Sequence, residues 1–88
     1  MELFRWNAWN SEHATKHGIA PAESEAVVSD AAEPFPWRLD DARFLVWGTI
    51  GGRWIQVVFL ADETTGEIYI IHARPLSRRE LAQFKEKT

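Results

Sequence analysis

Cationic and titratable side chains gather where an apolar run gives way to a helix start. The run 68–71 (IYII) leads to His72 and Arg74, and Arg78 and Arg79 follow shortly afterwards. The planar fork of arginine matches phosphate oxygens, and histidine exchanges protons near neutral pH. The segment therefore favours an anion-binding corner. It is equally compatible with a packed strand histidine followed by solvated arginines.

Two further histidines lie near the N-terminus. His13 and His17 are four residues apart, so on a helix both imidazoles share one face, the spacing used by paired metal ligands. Glu12 is adjacent, and His72 is a possible third ligand. The chain lacks H-E-x-x-H, however, and histidines at this spacing commonly bind no metal. A histidine-based metal site stays an alternative, while the main expectation is no metal and no cofactor.

The same side chains fit cleavage of RNA by attack of its own 2′-OH. That reaction needs a general base, a general acid and cations that stabilise the charged transition state. Histidine suits the proton transfers, and arginine suits the phosphate. The residues that supply these parts are His13, Lys16, His17, Arg43, Arg53, His72 and Arg74.

The helix start after the apolar run is the clearest structural signal. Pro75 cannot donate to a strand ladder, so the strand ends there. Ser77 and Glu80 have the S-x-x-E spacing of a capping box, in which each side chain satisfies a backbone donor of the other residue. The sequence therefore predicts a C-terminal helix beginning at Ser77.

The remaining elements follow from periodicity and turn residues. Asn7 or Asn10 is a suitable cap for a helix over 8–17 that Gly18 closes, and Pro21 suits the first turn of a second helix over 20–29. Residues 30–42 indicate a loop with an edge segment near Trp37. Strands are predicted over 43–50, 53–61 and 67–74, with a Gly-Gly hairpin turn between the first two. The prediction is an α+β fold, an antiparallel sheet with two N-terminal helices and one C-terminal helix.

Composition limits the class of protein. Eighty-eight residues form one domain, 1–88, with one modest core, and the chain has no cysteine. Residues 1–42 carry eight acidic and three basic side chains, whereas residues 43–88 carry five acidic and seven basic ones. This distribution argues against bulk electrostatic binding of nucleic acid and leaves room for a local cationic site. No apolar run is long enough for a membrane span, and MELFRW has no signal-peptide form, so we expect a cytoplasmic protein.

Several short motifs occur in an order that resembles the BrnT family of type II toxin–antitoxin systems. They are Trp6-Asn7, Lys16-His17-Gly18-Ile19, Asp41-x-Arg43, Gly52-Arg53 and the run His72-Ala73-Arg74 followed by Ser77-Arg78-Arg79-Glu80. The resemblance covers nearly the whole chain. It implies a RelE-like fold and a ribonuclease of the mRNA-interferase type, either ribosome-independent or ribosome-assisted.

The resemblance also implies roles and a partner. The family's basic positions fall on Lys16, His17, Arg43, Arg53, Arg74, Arg78 and Arg79, and Ser77 matches a Ser or Thr at the start of the last helix. Arg43, Arg53, Ser77, Arg78 and Arg79 are then expected to bind the RNA substrate. A small DNA-binding antitoxin is expected to neutralise the toxin, and its acidic groups would pair with Arg74, Arg78 and Arg79. The oligomeric state stays open.

A second functional class uses different residues. Trp6, Trp9 and Trp37 lie outside the predicted strands of the core, and exposed tryptophans are favoured anchors of protein interfaces. On that reading the chain is a non-catalytic module with a RelE-like fold that binds a protein partner. Packing in the core is the alternative role for these tryptophans.

Overall fold

The chain forms an α+β fold in which a five-stranded sheet is packed with three helices. The computed structural model describes residues 3–87, and of residues 85–87 it describes the backbone alone. In chain order the elements are β1 (Leu3–Phe4), α1 (Ala8–Thr15), α2 (Pro21–Ser29), β2 (Trp37–Arg38), β3 (Arg43–Ile50), β4 (Arg53–Ala61), β5 (Glu67–Pro75) and α3 (Arg78–Lys87).

Three long antiparallel strands form the centre of the sheet, whose order is β1-β5-β4-β3-β2. The predicted strands 43–50, 53–61 and 67–74 are confirmed, the last one extended by Pro75. Gly51 and Gly52 have φ angles of 58° and 78° and form the predicted hairpin turn. A turn with two positive φ angles matches the twist of the flanking strands, and glycine adopts it without a Cβ clash.

The expectation of a purely antiparallel sheet is wrong, because β1 pairs with β5 in parallel. Leu3 lies opposite Glu67, Phe4 lies opposite Ile68, and the Arg5 N–H donates to the Ile68 carbonyl at 2.9 Å. Consecutive hairpins force antiparallel pairing, whereas two strands separated by most of the chain are free to pair in either direction. The sheet is therefore mixed.

Helices α1 and α2 lie side by side on one face of the sheet, as predicted. α1 packs on β5, α2 packs on β3 and β4, and the two helices touch each other. The core between them and the sheet includes the buried side chains of Ala14, Val27, Val46 and Val57. A Cβ on Gly48 would lie 3.0 Å from a methyl of Val27, so glycine permits this close approach. α1 ends at Thr15 rather than at residue 17, which places Lys16 and His17 in the following turn.

The opposite face carries an aromatic cluster, defined as Phe35, Trp47, Trp54 and Phe84. The ring of Phe84, from α3, lies 5.7 Å from that of Trp47 and 5.4 Å from that of Trp54. Phe35 lies 6.0 Å from Trp47 and is almost fully buried. Aromatic rings bury large areas, so α3 and the loop before β2 cover part of this face of a small domain. In the part of the chain that the structure describes, no helix has the length and apolarity that crossing a membrane requires.

The start of α1 is fixed by two asparagines that cap each other. The Asn10 N–H donates to Asn7 Oδ1 at 3.1 Å, and the Asn7 N–H donates to Asn10 Oδ1 at 2.7 Å. The Asn10 amide also donates to the Arg5 carbonyl at 3.0 Å, and Asn10 is fully buried. One side chain therefore joins the end of β1 to the first turn of α1.

We expect Asn10→Ala to lower the free energy of unfolding by about 2–3 kcal/mol, measured by urea denaturation. The substitution removes the Asn10 half of the capping box, takes the side-chain partner from the Asn7 N–H and the Arg5 carbonyl, and leaves a cavity at a fully buried position. Glu12→Ala, an exposed position of the same helix, is the matched control and should change stability by less than about 0.5 kcal/mol. Equal losses in both variants would contradict this account of the helix start.

Candidate functional site

Two histidines from distant parts of the chain meet at the edge of the sheet. The imidazole centroids of His17 and His72 are 5.7 Å apart, and the ring planes are inclined at 73°. His17 lies in the turn after α1, which Gly18 completes with a φ of 83°. His72 lies on β5. The sequence left His13 or His17 as the acid–base partner of His72, and the structure places His17 beside it.

A β-bulge determines how His72 is presented. Val58 pairs with His72 and Phe59 pairs with Ile70, so Ile71 is the extra residue in β5. An extra residue breaks the alternation of side chains and re-aims those that follow. Ile70 and Ala73 are buried as a result, whereas His72 stays half-exposed. The bulge allows one strand to supply the core and to hold an imidazole at the surface.

The electrostatic surroundings of His72 favour its neutral form. Partial withdrawal from water lowers the pKa of His72 below its ordinary value of 6.5, and the positive charges of His17, Arg74 and Lys16 lower it further. Both effects penalise the protonated ring. A neutral imidazole at physiological pH can accept a proton, which is the requirement for a general base.

Arg74 is held by a dense set of hydrogen bonds. Its two terminal nitrogens donate to the two carboxylate oxygens of Glu80 at 2.8 and 2.7 Å, and further bonds reach the Pro75 carbonyl and Gln56 Oε1. Four of the five guanidinium N–H groups are therefore used inside the protein. The ion pair raises the pKa of Arg74 and, together with the Ser77 N–H, lowers the pKa of Glu80 to about 2. In this structure Arg74 holds the end of β5 against the first turn of α3.

The predicted capping box at the start of α3 is confirmed. The Glu80 N–H donates to Ser77 Oγ at 3.1 Å, and the Ser77 N–H donates to Glu80 Oε1 at 2.9 Å. Ser77 therefore acts as a helix cap. Arg78 and Arg79 are exposed in the first turn and form no ion pair with any side chain that the structure describes. They leave positive charge available beside the capped turn.

His13 lies one helical turn before His17 and has a different environment. Its ring stacks on Trp9 at 4.0 Å with planes 17° apart, and its Nδ1 is 2.7 Å from the Trp9 carbonyl oxygen. The ring of Trp9 lies 6.3 Å from that of Tyr69 on β5. In the described residues no group of three histidine or carboxylate side chains is arranged to hold a metal ion.

Two predicted phosphate ligands lie elsewhere. Arg43 begins β3 opposite Leu60, whereas Arg53 begins β4 opposite Ile50 at the other end of the same ladder. The two starts are seven residues apart along β3, about 23 Å at ~3.3 Å per residue. Arg43 pairs with Asp40 at 2.7 Å, and Arg53 pairs with Glu23 at 2.7 Å. The structure does not bring them together with Arg74 around one phosphate.

The three tryptophans outside the central strands differ in their contacts. Trp6 is half-buried, and its indole N–H donates to Glu25 at 2.7 Å. Trp9 and Trp37 are 50% and 41% exposed. Core packing therefore accounts for Trp6. Trp9 stacks on His13 and Trp37 packs on Phe35 and Trp47, and both keep part of their surface exposed to solvent.

Two contacts of Arg74, with Glu80 and Gln56, were not predicted from the sequence. Glu80 was assigned only to the helix cap, although its carboxylate also holds Arg74. Gln56 bridges Arg74 and the indole N–H of Trp47. The spacing of Glu80 from Arg74, six residues across a strand end, is not a helical or strand repeat. Arg74 and Glu80 come into contact only because α3 folds back over the sheet.

No protein-family model, curated protein or solved structure matches this chain.

We expect Glu80→Gln to lower the free energy of unfolding at pH 7 by about 1–2 kcal/mol, because it removes the charged partner of Arg74. The folded pKa of Glu80 is about 2, below its ordinary value of 4.5. Its ionised form therefore stabilises the fold above pH 4.5, and this contribution is lost as the pH falls through about 2. The difference between wild type and variant should shrink over that interval in urea titrations.

Glu63→Gln is the control for this titration. The Glu63 side chain is 82% exposed and lies 3.8 Å from Arg38, so its neutralisation should leave stability nearly unchanged at every pH. A pH-independent difference between wild type and Glu80→Gln would refute the charge-based role of this carboxylate.

Proposed function

We propose that this chain is a toxin-like ribonuclease with a RelE-like fold, the catalytic partner of a type II toxin–antitoxin system. The observation that supports the proposal is the pair of imidazoles, His17 and His72, held 5.7 Å apart at the sheet edge. Lys16 and Arg74 lie near enough to act electrostatically on His72. The motif order that resembles the BrnT family, which includes these residues, adds to this support. We propose that it acts in the cytoplasm, where its RNA substrate is found.

The proposed reaction is a transfer within the RNA that requires no metal. Neutral His72 accepts the proton of a 2′-OH, and the oxygen attacks the adjacent phosphorus. The bond from phosphorus to the 5′-oxygen breaks, and protonated His17 gives a proton to that leaving oxygen. The products are a 2′,3′-cyclic phosphate and a 5′-hydroxyl end. General acid–base catalysis of this kind contributes roughly 10²–10⁴-fold for each positioned group.

Lys16 and Arg74 have separate roles in the proposed reaction. Lys16 is exposed and has no ion pair among the described side chains, so its ammonium group is available to the phosphate. Arg74 keeps its Nε–H free of the bonds that hold its terminal nitrogens. Its main role is to fix the end of β5 through Glu80, which keeps His72 at the distance the reaction needs. A cation held by existing hydrogen bonds stabilises developing charge without reorganisation.

We expect the purified protein to cleave single-stranded RNA in excess EDTA. His72→Ala and His17→Ala should each reduce kcat/KM by about 10²–10⁴-fold. Because the pKa of free His72 lies below 6.5, the acid limb of the pH profile should have its midpoint below pH 6.5. The rate should fall again at higher pH, when the general acid loses its proton.

Arg38→Gln is the control for the cleavage assay. Arg38 is an exposed cation on β2, at the opposite edge of the sheet from the histidines, and its loss should not change the rate. Cleavage that survives both histidine substitutions would remove the pair from the mechanism. Cleavage abolished by EDTA would support the metal alternative.

The proposed partner is a small DNA-binding antitoxin that covers the cationic corner. Its acidic side chains would pair with Lys16, Arg78 and Arg79, whose charges are not neutralised by any described side chain. Arg74 is a weaker candidate for such pairing because Glu80 already satisfies it. Opposite charges at an interface mainly raise the association rate and depend on salt.

We expect this protein to co-purify with the product of an adjacent gene that encodes such an antitoxin. Reversing two charges, Arg78→Glu with Arg79→Glu, should weaken the complex by at least about tenfold in low salt. Arg38→Glu reverses one charge at the opposite edge of the sheet and should have little effect. Separate migration of the two wild-type proteins at micromolar concentration would count against the partner.

A second candidate is a non-catalytic interaction module. Trp37 and Leu39, on and just after β2, are 41% and 48% exposed and form an apolar edge remote from the histidines. Exposed aromatic anchors of this kind are typical of protein interfaces. The cleavage assay separates the two candidates, because the module would bind its partner and leave RNA intact.

A further inference from the structure

A cavity of about 270 Å³ lies between the aromatic cluster and the C-terminal end of α2. All four rings of the cluster line it, together with Gly48 and Thr49 of β3, Val27 of α2 and residues 30–33 after that helix. Neither His17 nor His72 lines the cavity, so it is separate from the candidate functional site. Pockets for drug-sized ligands have volumes of ~300–1,000 Å³, and this cavity therefore suits a smaller molecule.

The rings of the aromatic cluster are inclined to one another and leave space between them. The plane of Phe84 is 75° from that of Trp47 and 60° from that of Trp54. Phe35 is inclined by 38° to Trp47. Among the described aromatic side chains, Phe84 is the one ring neighbour of Trp54, which is half-buried. The Trp54 indole therefore keeps a surface that no other described ring covers, and Trp54 is part of the cavity wall.

The cavity adjoins the part of β3 that β2 leaves uncovered. Among the described strands, β2 pairs with β3 only at residues 44–45, so residues 46–50 have a free edge. The Leu39 N–H donates to the Arg43 carbonyl, which shows that Arg43 directs its backbone groups toward this edge. Alternate residues of an antiparallel strand direct their backbone groups to the same side. Trp47 and Thr49 therefore present carbonyl oxygens at the free edge, where a ligand can donate hydrogen bonds to them.

The charges around the cavity favour a cation. Asp30 and Glu33 line it, are exposed, and form no ion pair with any side chain that the structure describes. The C-terminal end of α2, the negative end of its dipole, lies at the same place, and its last turn contains no basic residue. None of the described residues that line the cavity is cationic. An anion would therefore be repelled, whereas a positive charge would be attracted.

We infer that this cavity binds a small organic cation, an ammonium group carried on a short apolar body. Aromatic rings attract such a cation and also contact its methyl or methylene groups, while the carboxylates of Asp30 and Glu33 balance its charge. A bare metal ion is a poorer occupant, because the described residues contain no group of three side chains arranged to hold one. The inference goes beyond the proposed ribonuclease function and does not depend on it.

The test is an NMR titration of the intact, ¹⁵N-labelled protein with choline as the probe. Choline should bind saturably with a Kd of about 1 mM or less, a modest affinity for a ligand of its size. It should shift the resonances of the Thr49 amide and the Trp54 indole N–H and leave that of the His72 amide unchanged. The neutral molecule 3,3-dimethylbutan-1-ol has the shape of choline without its charge and should bind at least about tenfold more weakly.

Paired substitutions separate the local carboxylates from the overall charge. Asp30→Asn with Glu33→Gln should raise the Kd for choline about 2- to 30-fold and leave that for the neutral probe unchanged. Asp41→Asn with Glu12→Gln removes the same charge at exposed positions outside the cavity and should leave both Kd values unchanged. Trp54→Ala should raise the Kd for choline about 2- to 30-fold, and Trp54→Phe, which keeps a ring, should recover most of the affinity.

The inference is overturned by any of three results. The first is the absence of saturable binding of choline to the wild type. The second is equal affinity for choline and its neutral counterpart, and the third is an equal change in both carboxylate pairs. The two carboxylate pairs replace exposed side chains, so matching urea unfolding curves should establish that these variants are folded even if Trp54→Ala is not.

Discussion

The two-pronged ion pair between Arg74 and Glu80 is the contact on which the organisation of this domain depends. It joins the end of β5 to the first turn of α3, and the same carboxylate completes the capping box with Ser77. Through Gln56 it also reaches Trp47, and so the aromatic cluster that α3 covers. Charge-assisted bonds with this geometry fix direction as well as distance. A helix of ten residues is thereby oriented by its first turn.

The local elements were predictable, and their long-range assembly was not. Gly51-Gly52 determined a hairpin, and Ser77 with Glu80 determined a helix start, because turn and cap chemistry is encoded within a few residues. The parallel pairing of β1 has no such local code, since its two residues carry no alternation. The predicted Gly-Gly hairpin, by contrast, already implies that Arg43 and Arg53 begin opposite ends of one ladder. The acidic partner of Arg43, Asp40, is local, whereas Glu23, the partner of Arg53, comes from α2 and was not predictable.

The candidate site was likewise predictable in part: its residues could be named, but their arrangement could not. His17 and His72 were identified by residue type and by the elements that carry them, and the fold brings their rings together. The bulge at Ile71 was not predictable, because an apolar run of four residues does not reveal which residue is unpaired. Without that extra residue His72 would follow the alternation of a buried strand. The net charge of −3 also gives no sign of the cationic side chains around the histidine pair, because acidic residues on other surfaces outnumber them.

The pairing of β1 and α1 with β5 has a consequence for synthesis on the ribosome. The first strand and helix pack on a strand that begins at Glu67, so their main partner is absent until β5 has emerged from the ribosome. Contacts between such distant segments form late, because a long loop must close before they contribute. His17 therefore meets His72 only after β5 has been synthesised. A nascent chain interrupted before β5 contains neither the completed sheet nor the paired imidazoles.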